Sequence, residues 1–128
     1  MRSLDRVRLE PGGIPGDAHF RPGSARQVLM IEAETLRELG LEPGSVRENL
    51  TVGGFPLMGL APGTRLRVGD AVLEVTGECE PCAVMDAVRP GLMAELAGRR
   101  GMLARVAAAG LVRRGDPVGP ARPEAGPP

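Results

Sequence analysis

The clearest alternation of hydrophobic and polar residues lies in the segment TRLRVGDAVLEVTG, residues 64–77. Leu66 and Val68 point to one side of an extended chain, and the arginines that precede each of them point to the other. Residues 71–76 alternate again, and Gly69-Asp70 between the two runs is a typical two-residue turn. The segment therefore predicts a β-hairpin.

The rest of the chain consists of short hydrophobic runs separated by turn residues. The further strands predicted are an edge strand at residues 2–10, a buried strand at 28–31, a strand of mixed polarity at 46–52, and two strands within 101–118 that meet at a bend at Gly110. The predicted helices are short: 32–39, ended by Gly40, a turn at 83–88, and 90–97, which begins with proline.

This pattern predicts a mainly β fold, a barrel or sandwich with a few short helices. Short strands with turn signals every ~8–12 residues favour that architecture. The helices are too few and too short to cover both faces of a parallel sheet. With 128 residues we expect one domain over 1–118, followed by a disordered tail at 119–128 that is rich in proline and glycine.

Composition and charge exclude several classes of protein. Aromatic residues make up 2% of the chain, so the core must be aliphatic. The formal net charge of zero gives no global attraction to nucleic acid or to anionic membranes. No apolar run approaches the ~20 residues of a membrane span, and the N-terminus lacks the apolar segment of a signal peptide. We therefore expect a cytoplasmic protein whose thiols are reduced.

The only two cysteines, Cys79 and Cys82, lie together in GECEPC. A tetrahedral zinc site within the chain would need four ligands, and His19 is the only histidine, so such a site is excluded. A thioredoxin-like pair would open a helix in an α/β fold, whereas this pair follows a hairpin. A thiolate metal ligand, a sulfur carrier and two small buried hydrophobic residues stay open.

The order of motifs along the chain resembles the MOSC domain, named for the C-terminal part of molybdenum cofactor sulfurases. The resemblance spans about residues 13–118 and rests on five segments: GIPGDAHF, RQVLMIEAE, VRENLTVGG, the hairpin running into GECEPC, and GMLARVAAAGLVRRGDPV. Each segment is weak alone, and their order and spacing make the match specific. The chain departs from the family at its start, where only residues 2–9 are available for the usual first strand. A missing strand would leave a sheet edge that a homodimer could cover.

The resemblance implies a β-barrel-like fold and one cysteine, by position Cys82, that binds molybdenum or carries sulfur. It also implies catalytic roles for Asp17 and His19 and a cofactor-binding set at Gly16, Arg26, Arg47 and Asn49. Each residue also has a structural alternative. Asp17 can close its glycine-rich turn, the arginines can pair with acidic neighbours, and Asn49 can cap a strand end.

Two functions of different classes follow from this resemblance. In the first, the protein binds the molybdenum cofactor (molybdopterin) or carries sulfur on Cys82, with a cysteine desulfurase as partner. In the second, it is a molybdenum-dependent reductase of N-oxygenated compounds that receives electrons from a separate donor protein. A CxxC thiol oxidoreductase is a further alternative, and it would need both cysteines.

Overall fold

The computed structural model describes residues 6–18 and 20–121 of the chain. Its strands are β1 Arg6–Leu9, β2 Val28–Glu32, β3 Leu50–Val52, β4 Arg65–Val68, β5 Ala71–Glu78, β6 Met102–Ala108, β7 Gly110–Arg113 and β8 Val118–Pro120. Its helices are α1 Ala33–Leu39, α2 Val84–Val88 and α3 Leu92–Glu95. The predicted mainly β fold with a few short helices is confirmed.

Six strands form one sheet in the order β3-β2-β6-β5-β4-β8. β2 and β3 are parallel, and every other neighbouring pair is antiparallel. Strands β1 and β7 form a separate antiparallel pair. Within residues 6–18 and 20–121, β3 and β8 are the two edges of the large sheet, so it curls into a half-barrel rather than closing on itself.

The core is aliphatic, as the near absence of aromatic residues requires. The alternation seen in the sequence places Leu66, Val68, Leu73 and Val75 on the buried face of the β4–β5 hairpin. A second buried cluster joins β2 to the helices and contains Ile31, Leu36, Val46, Met85, Leu92 and Leu96. Complete burial of such a side chain contributes about 1.5–3 kcal/mol. No helix in the described part of the chain is long and apolar enough to cross a membrane.

Two element boundaries differ from the sequence prediction because of backbone conformation. The strand predicted at 46–52 is wrong for its first half: Arg47 has φ +65°, which ends extended structure there, and β3 begins only at Leu50. The helix predicted at 90–97 is shorter, because Gly91 at φ +86° is left-handed and α3 begins after it.

The C-terminal boundary also differs from the sequence prediction. Strand β8 includes Gly119 and Pro120, which the sequence prediction assigned to the tail. The backbone amide of Ala121 donates to the Arg65 carbonyl at 2.9 Å, which continues the pairing of β8 with β4. The remaining residues of the predicted tail, 122–128, lie outside the described residues.

Candidate anion-binding site

A pocket of about 370 Å³ opens where the end of β5 lies beside the starts of β2 and β6. Antiparallel register brings Leu103 of β6 opposite Leu29 of β2 on one side and Gly77 of β5 on the other. The residues that line this arginine pocket are Ala18, Arg21, Ser24, Arg26, Gln27, Leu29, Arg47, Asn49, Cys79, Arg100 and Leu103. Four are arginines, and the described lining contains no aspartate or glutamate.

These four arginines differ from six other arginines of the described chain. Ion pairs join other arginines to carboxylates: Arg8–Glu10, Arg65–Glu74, Arg89–Glu95, Arg99–Glu38, Arg105–Glu74 and Arg113–Asp70. Among residues 6–18 and 20–121, none of the four pocket arginines has such a partner. Their positive charge therefore stays available to an anion from outside the chain.

Gln27 fixes the loop that carries two of these arginines. Its side chain is buried, and its Oε1 accepts hydrogen bonds from the backbone amides of Gly12 at 3.0 Å and Val106 at 2.9 Å. Its Nε2 donates to the Arg21 carbonyl at 3.4 Å. A buried amide with these partners ties Gly12 and Arg21 to the sheet, and so helps to place Arg21, and Arg26 directly before Gln27, in the pocket lining.

Asn49 holds the turn before β3 against β2. Its backbone amide donates to the Leu29 carbonyl, and its Oδ1 accepts from the Leu29 amide, both at 2.8 Å. The structural role that the sequence allowed for Asn49 is therefore present. Its Oδ1 is occupied by this bond, which leaves the Nδ2 group as the donor that Asn49 can offer to a ligand.

Arg100 is a pocket residue that the sequence analysis did not single out. It stands directly before Gly101, whose φ is +127°, and a Cβ at Gly101 would overlap the Met30 carbonyl oxygen. Only glycine allows β6 to start this close to β2, and this approach carries Arg100 into the wall. The only feature of the sequence that marks Arg100 is its position before a buried strand. Arg99 has the same feature, so the sequence does not distinguish the two.

The two cysteines lie in different surroundings. Cys79 is buried with Leu29 and Leu103 and lines the arginine pocket, where its backbone amide donates to the Gly101 carbonyl at 2.9 Å. Cys82 is exposed and lies just before α2, outside the lining residues, and its carbonyl accepts from the Met85 amide at 2.9 Å. Both thiols are free.

The GDAH segment belongs to a second pocket. This mixed pocket of about 440 Å³ has aliphatic walls, including Ile14 and Val52, and shares Asn49 with the arginine pocket. Its charged lining residues are Arg6, Asp17, Glu48, Arg113, Arg114 and Asp116. Gly16 is exposed and lines neither pocket, and His19 lies outside the described residues.

The structure therefore brings together three of the residues selected from the sequence, Arg26, Arg47 and Asn49. It places Asp17 in the neighbouring pocket and puts Cys79 rather than Cys82 in the pocket wall. Among the described residues, no group of three or more histidine, cysteine, aspartate or glutamate side chains could hold a metal ion. The chemistry that this site offers is recognition of an anion next to a thiol.

Comparison with known proteins identifies the domain and the fold. The profile of the MOSC domain matches residues 15–119. The crystal structure of YuaD from Bacillus subtilis is 24% identical and superposes with a TM-score of 0.78, over 91% of this chain and 85% of that one. YiiM from Escherichia coli is 21% identical, with a TM-score of 0.72, over 94% of this chain and 64% of that one.

YiiM from Geobacillus stearothermophilus gives a similar result, with 19% identity and a TM-score of 0.73, over 94% of this chain and 63% of that one. The chain thus spans less than two thirds of the length of either YiiM protein. No curated protein matches the sequence. At these identities the structural likeness establishes the fold alone.

Proposed function

The chain belongs to the MOSC family, and from that premise we propose that it handles the molybdenum cofactor. In this proposal the arginine pocket holds the cofactor's phosphate group, and Cys82 carries sulfur for it. The observation that supports the proposal is the set of four pocket arginines with no carboxylate among the described lining residues.

The pocket residues fit the anionic end of such a cofactor. A phosphate oxygen accepts charge-assisted hydrogen bonds, and the planar guanidinium group matches it with two parallel donors. Nη1 of Arg100 is buried and has no hydrogen-bond partner among the described residues, so an acceptor from a ligand would satisfy it. When bound, the cofactor supplies a redox-active molybdenum centre that can exchange oxo and sulfido groups.

The exposed position of Cys82 favours a sulfur-carrier role, because a partner protein can reach its thiol. In that role the Cys82 thiolate attacks the terminal sulfur of a persulfide on a cysteine desulfurase. A new S–S bond forms on Cys82, the donor's S–S bond breaks, and the donor's cysteine leaves as a thiolate. No external oxidant or reductant is required for this transfer.

The reductase alternative is favoured by a different observation, the presence of Cys79 in the wall of the arginine pocket. A thiolate that ligates the metal of a cofactor bound there must face the pocket. Cys79 lines this pocket, whereas Cys82 is exposed and is not among the lining residues. This alternative also requires a separate electron-donor protein. The two functions therefore depend on different cysteines.

The test is to purify the protein anaerobically from a molybdenum-replete host and to measure molybdenum, pterin and cyanide-labile sulfur per chain. Cys82→Ala and Cys79→Ala are matched variants. We expect stoichiometric pterin in the wild type, and loss of labile sulfur in Cys82→Ala alone. Loss of molybdenum confined to Cys79→Ala would favour the reductase. A wild-type protein with neither pterin nor labile sulfur would contradict the whole proposal.

Assembly with other chains is also part of the proposal. Strands β3 and β8 present unpaired edges within the described part of the chain, and such edges can pair with a second copy. We therefore propose a homodimer, beside a transient complex with the desulfurase or electron donor. Light scattering on the purified protein measures its mass in solution. A monomeric mass at all concentrations would contradict the proposed homodimer.

A further inference from the structure

Arg47 has an unusual backbone for an arginine. Its φ of +65° makes it the one non-glycine residue with positive φ in the described chain. For a residue with a Cβ this conformation is strained, so the surrounding structure must hold it in place. Strain of this kind is concentrated at functional sites, and here it occurs on a residue that lines the arginine pocket.

Side-chain contacts hold the turn on both sides of Arg47. On the C-terminal side, Oε2 of Glu48 accepts hydrogen bonds from the Gly44 amide and the Thr51 hydroxyl. On the N-terminal side, Nη2 of Arg100 donates to the Val46 carbonyl at 2.7 Å. The amide of Arg47 itself donates to the Gly44 carbonyl at 3.2 Å. Arg100 is therefore one of the groups that fix the conformation of Arg47.

Arg100 is also incompletely satisfied. It is 5% exposed, and only one of its two terminal nitrogens has a partner, since Nη1 is buried without an acceptor among the described residues. A buried guanidinium without a counter-charge is unfavourable, and an anion that reaches it removes much of that penalty. The other three pocket arginines are exposed, so water already solvates them.

We propose that Arg100 is the anchor of an oxyanion site: Nη1 binds a phosphate-type oxygen directly, while Nη2 keeps Arg47 in its left-handed conformation beside the same ligand. Arg21 and Arg26 at the rim attract the anion, and the buried nitrogen of Arg100 selects a tetrahedral oxyanion over a halide. The inference builds on the proposed function, where the phosphate belongs to the cofactor. The same chemistry would also bind free inorganic phosphate.

The experiment measures the affinity of the full-length protein for inorganic phosphate by isothermal titration, in chloride buffer. Arg100→Lys keeps the charge but replaces two separated donor nitrogens with a single ammonium nitrogen, which cannot occupy the positions of Nη1 and Nη2 at the same time. We expect its dissociation constant to rise by about tenfold or more, as for loss of a charge-assisted hydrogen bond. Arg99→Lys is the matched control, because Arg99 is adjacent, is paired with Glu38 and does not line the pocket. Its affinity should stay that of the wild type.

A thermal melt of each variant without phosphate separates binding from folding. The inference is supported if Arg100→Lys melts within a few degrees of the wild type and binds phosphate weakly. If Arg100→Lys fails to fold, Arg47→Gly takes its place, because glycine tolerates the positive φ while removing the second guanidinium. Whichever of these two variants folds, a phosphate affinity equal to that of the wild type would overturn the inference. An equal loss of phosphate affinity in the control Arg99→Lys would also overturn it.

Failure of the inference and failure of the proposed function give different results. If only Arg100→Lys binds phosphate weakly and the wild type contains no pterin, the oxyanion site is supported but the cofactor is not its ligand. If Arg100→Lys and the wild type bind phosphate equally well and both contain pterin, Arg100 is not the anchor, but the proposal that the protein binds the cofactor still stands.

Discussion

The arginine pocket and the mixed pocket adjoin each other at Asn49 and are similar in size, yet they use charge in opposite ways. In the mixed pocket three arginines accompany three carboxylates. Oδ2 of Asp116 accepts from the Arg113 amide at 2.7 Å, and Arg113 also pairs with Asp70 at 3.5 Å. Asp17 and Arg114 also have partners. In the arginine pocket, four arginines face no carboxylate among the described residues.

The comparison shows that residue type alone does not mark a binding site. The chain has 16 arginines and no lysine, so an abundance of arginine carries no information about position. An arginine that has found a carboxylate within the chain contributes to the fold. An arginine that lacks one retains its charge for a ligand. We therefore expect substitutions in the mixed pocket to change stability, and substitutions in the arginine pocket to change binding.

The largest effect is expected for Glu48→Ala in the mixed pocket. Its buried carboxylate accepts hydrogen bonds from Gly44 and Thr51, and both donors would lose their acceptor. We expect the free energy of unfolding to fall by about 2–3 kcal/mol. Urea denaturation measures it, and Glu10→Ala, which removes an exposed carboxylate, is the control. A loss below about 0.5 kcal/mol, as for a surface substitution, would show that this pocket is not part of the structural framework.

Arg47→Gly should separate binding from stability in the arginine pocket. Glycine adopts φ +65° without strain. We therefore expect the free energy of unfolding of Arg47→Gly to equal that of the wild type or to exceed it by up to about 1 kcal/mol. The dissociation constant for inorganic phosphate should rise by about tenfold, because a guanidinium is removed. Denaturation and titration of the same preparation test both parts. A clear fall in the free energy of unfolding, together with an unchanged affinity for phosphate, would show that Arg47 has a structural role and not a binding role.

The smallest effect is expected for Glu74→Gln on the open sheet. Hydrogen bonds and charge from Arg105 first, and Arg65 second, lower the pKa of the Glu74 carboxyl in the folded protein. The unfolded chain therefore binds this proton more readily, so the stabilising contribution of Glu74 is present at neutral pH and is lost as the pH falls below about 4.3. We expect a difference of less than about 1 kcal/mol at pH 7.

The difference between wild type and Glu74→Gln should shrink in urea denaturation at acid pH, and phosphate affinity should stay unchanged. Arg105 and Arg65 are exposed, so screening by water keeps the effect small. A difference that grows on acidification would contradict the assignment of these arginines to paired, structural roles.

The hairpin, the aliphatic core and the mainly β class could be predicted from the sequence. Those features depend on alternation between neighbouring positions, which a strand converts directly into a buried and an exposed face. Motif order also led to the family and to Arg26, Arg47 and Asn49. The left-handed backbone of Arg47 was not predicted, because contacts from residues distant in sequence hold it there.

The pairing of the arginines and the choice of the cysteine that lines the pocket depend on the folded arrangement and could not be predicted from the sequence. Arg99 and Arg100 are neighbours in the chain, yet one pairs with Glu38 and the other is buried in the pocket wall. The close approach of β6 to β2 at Gly101 lies directly after Arg100. Pairing and burial depend on which distant segments meet, and local sequence does not encode that. For the same reason Cys79 and Cys82, three positions apart, have different surroundings.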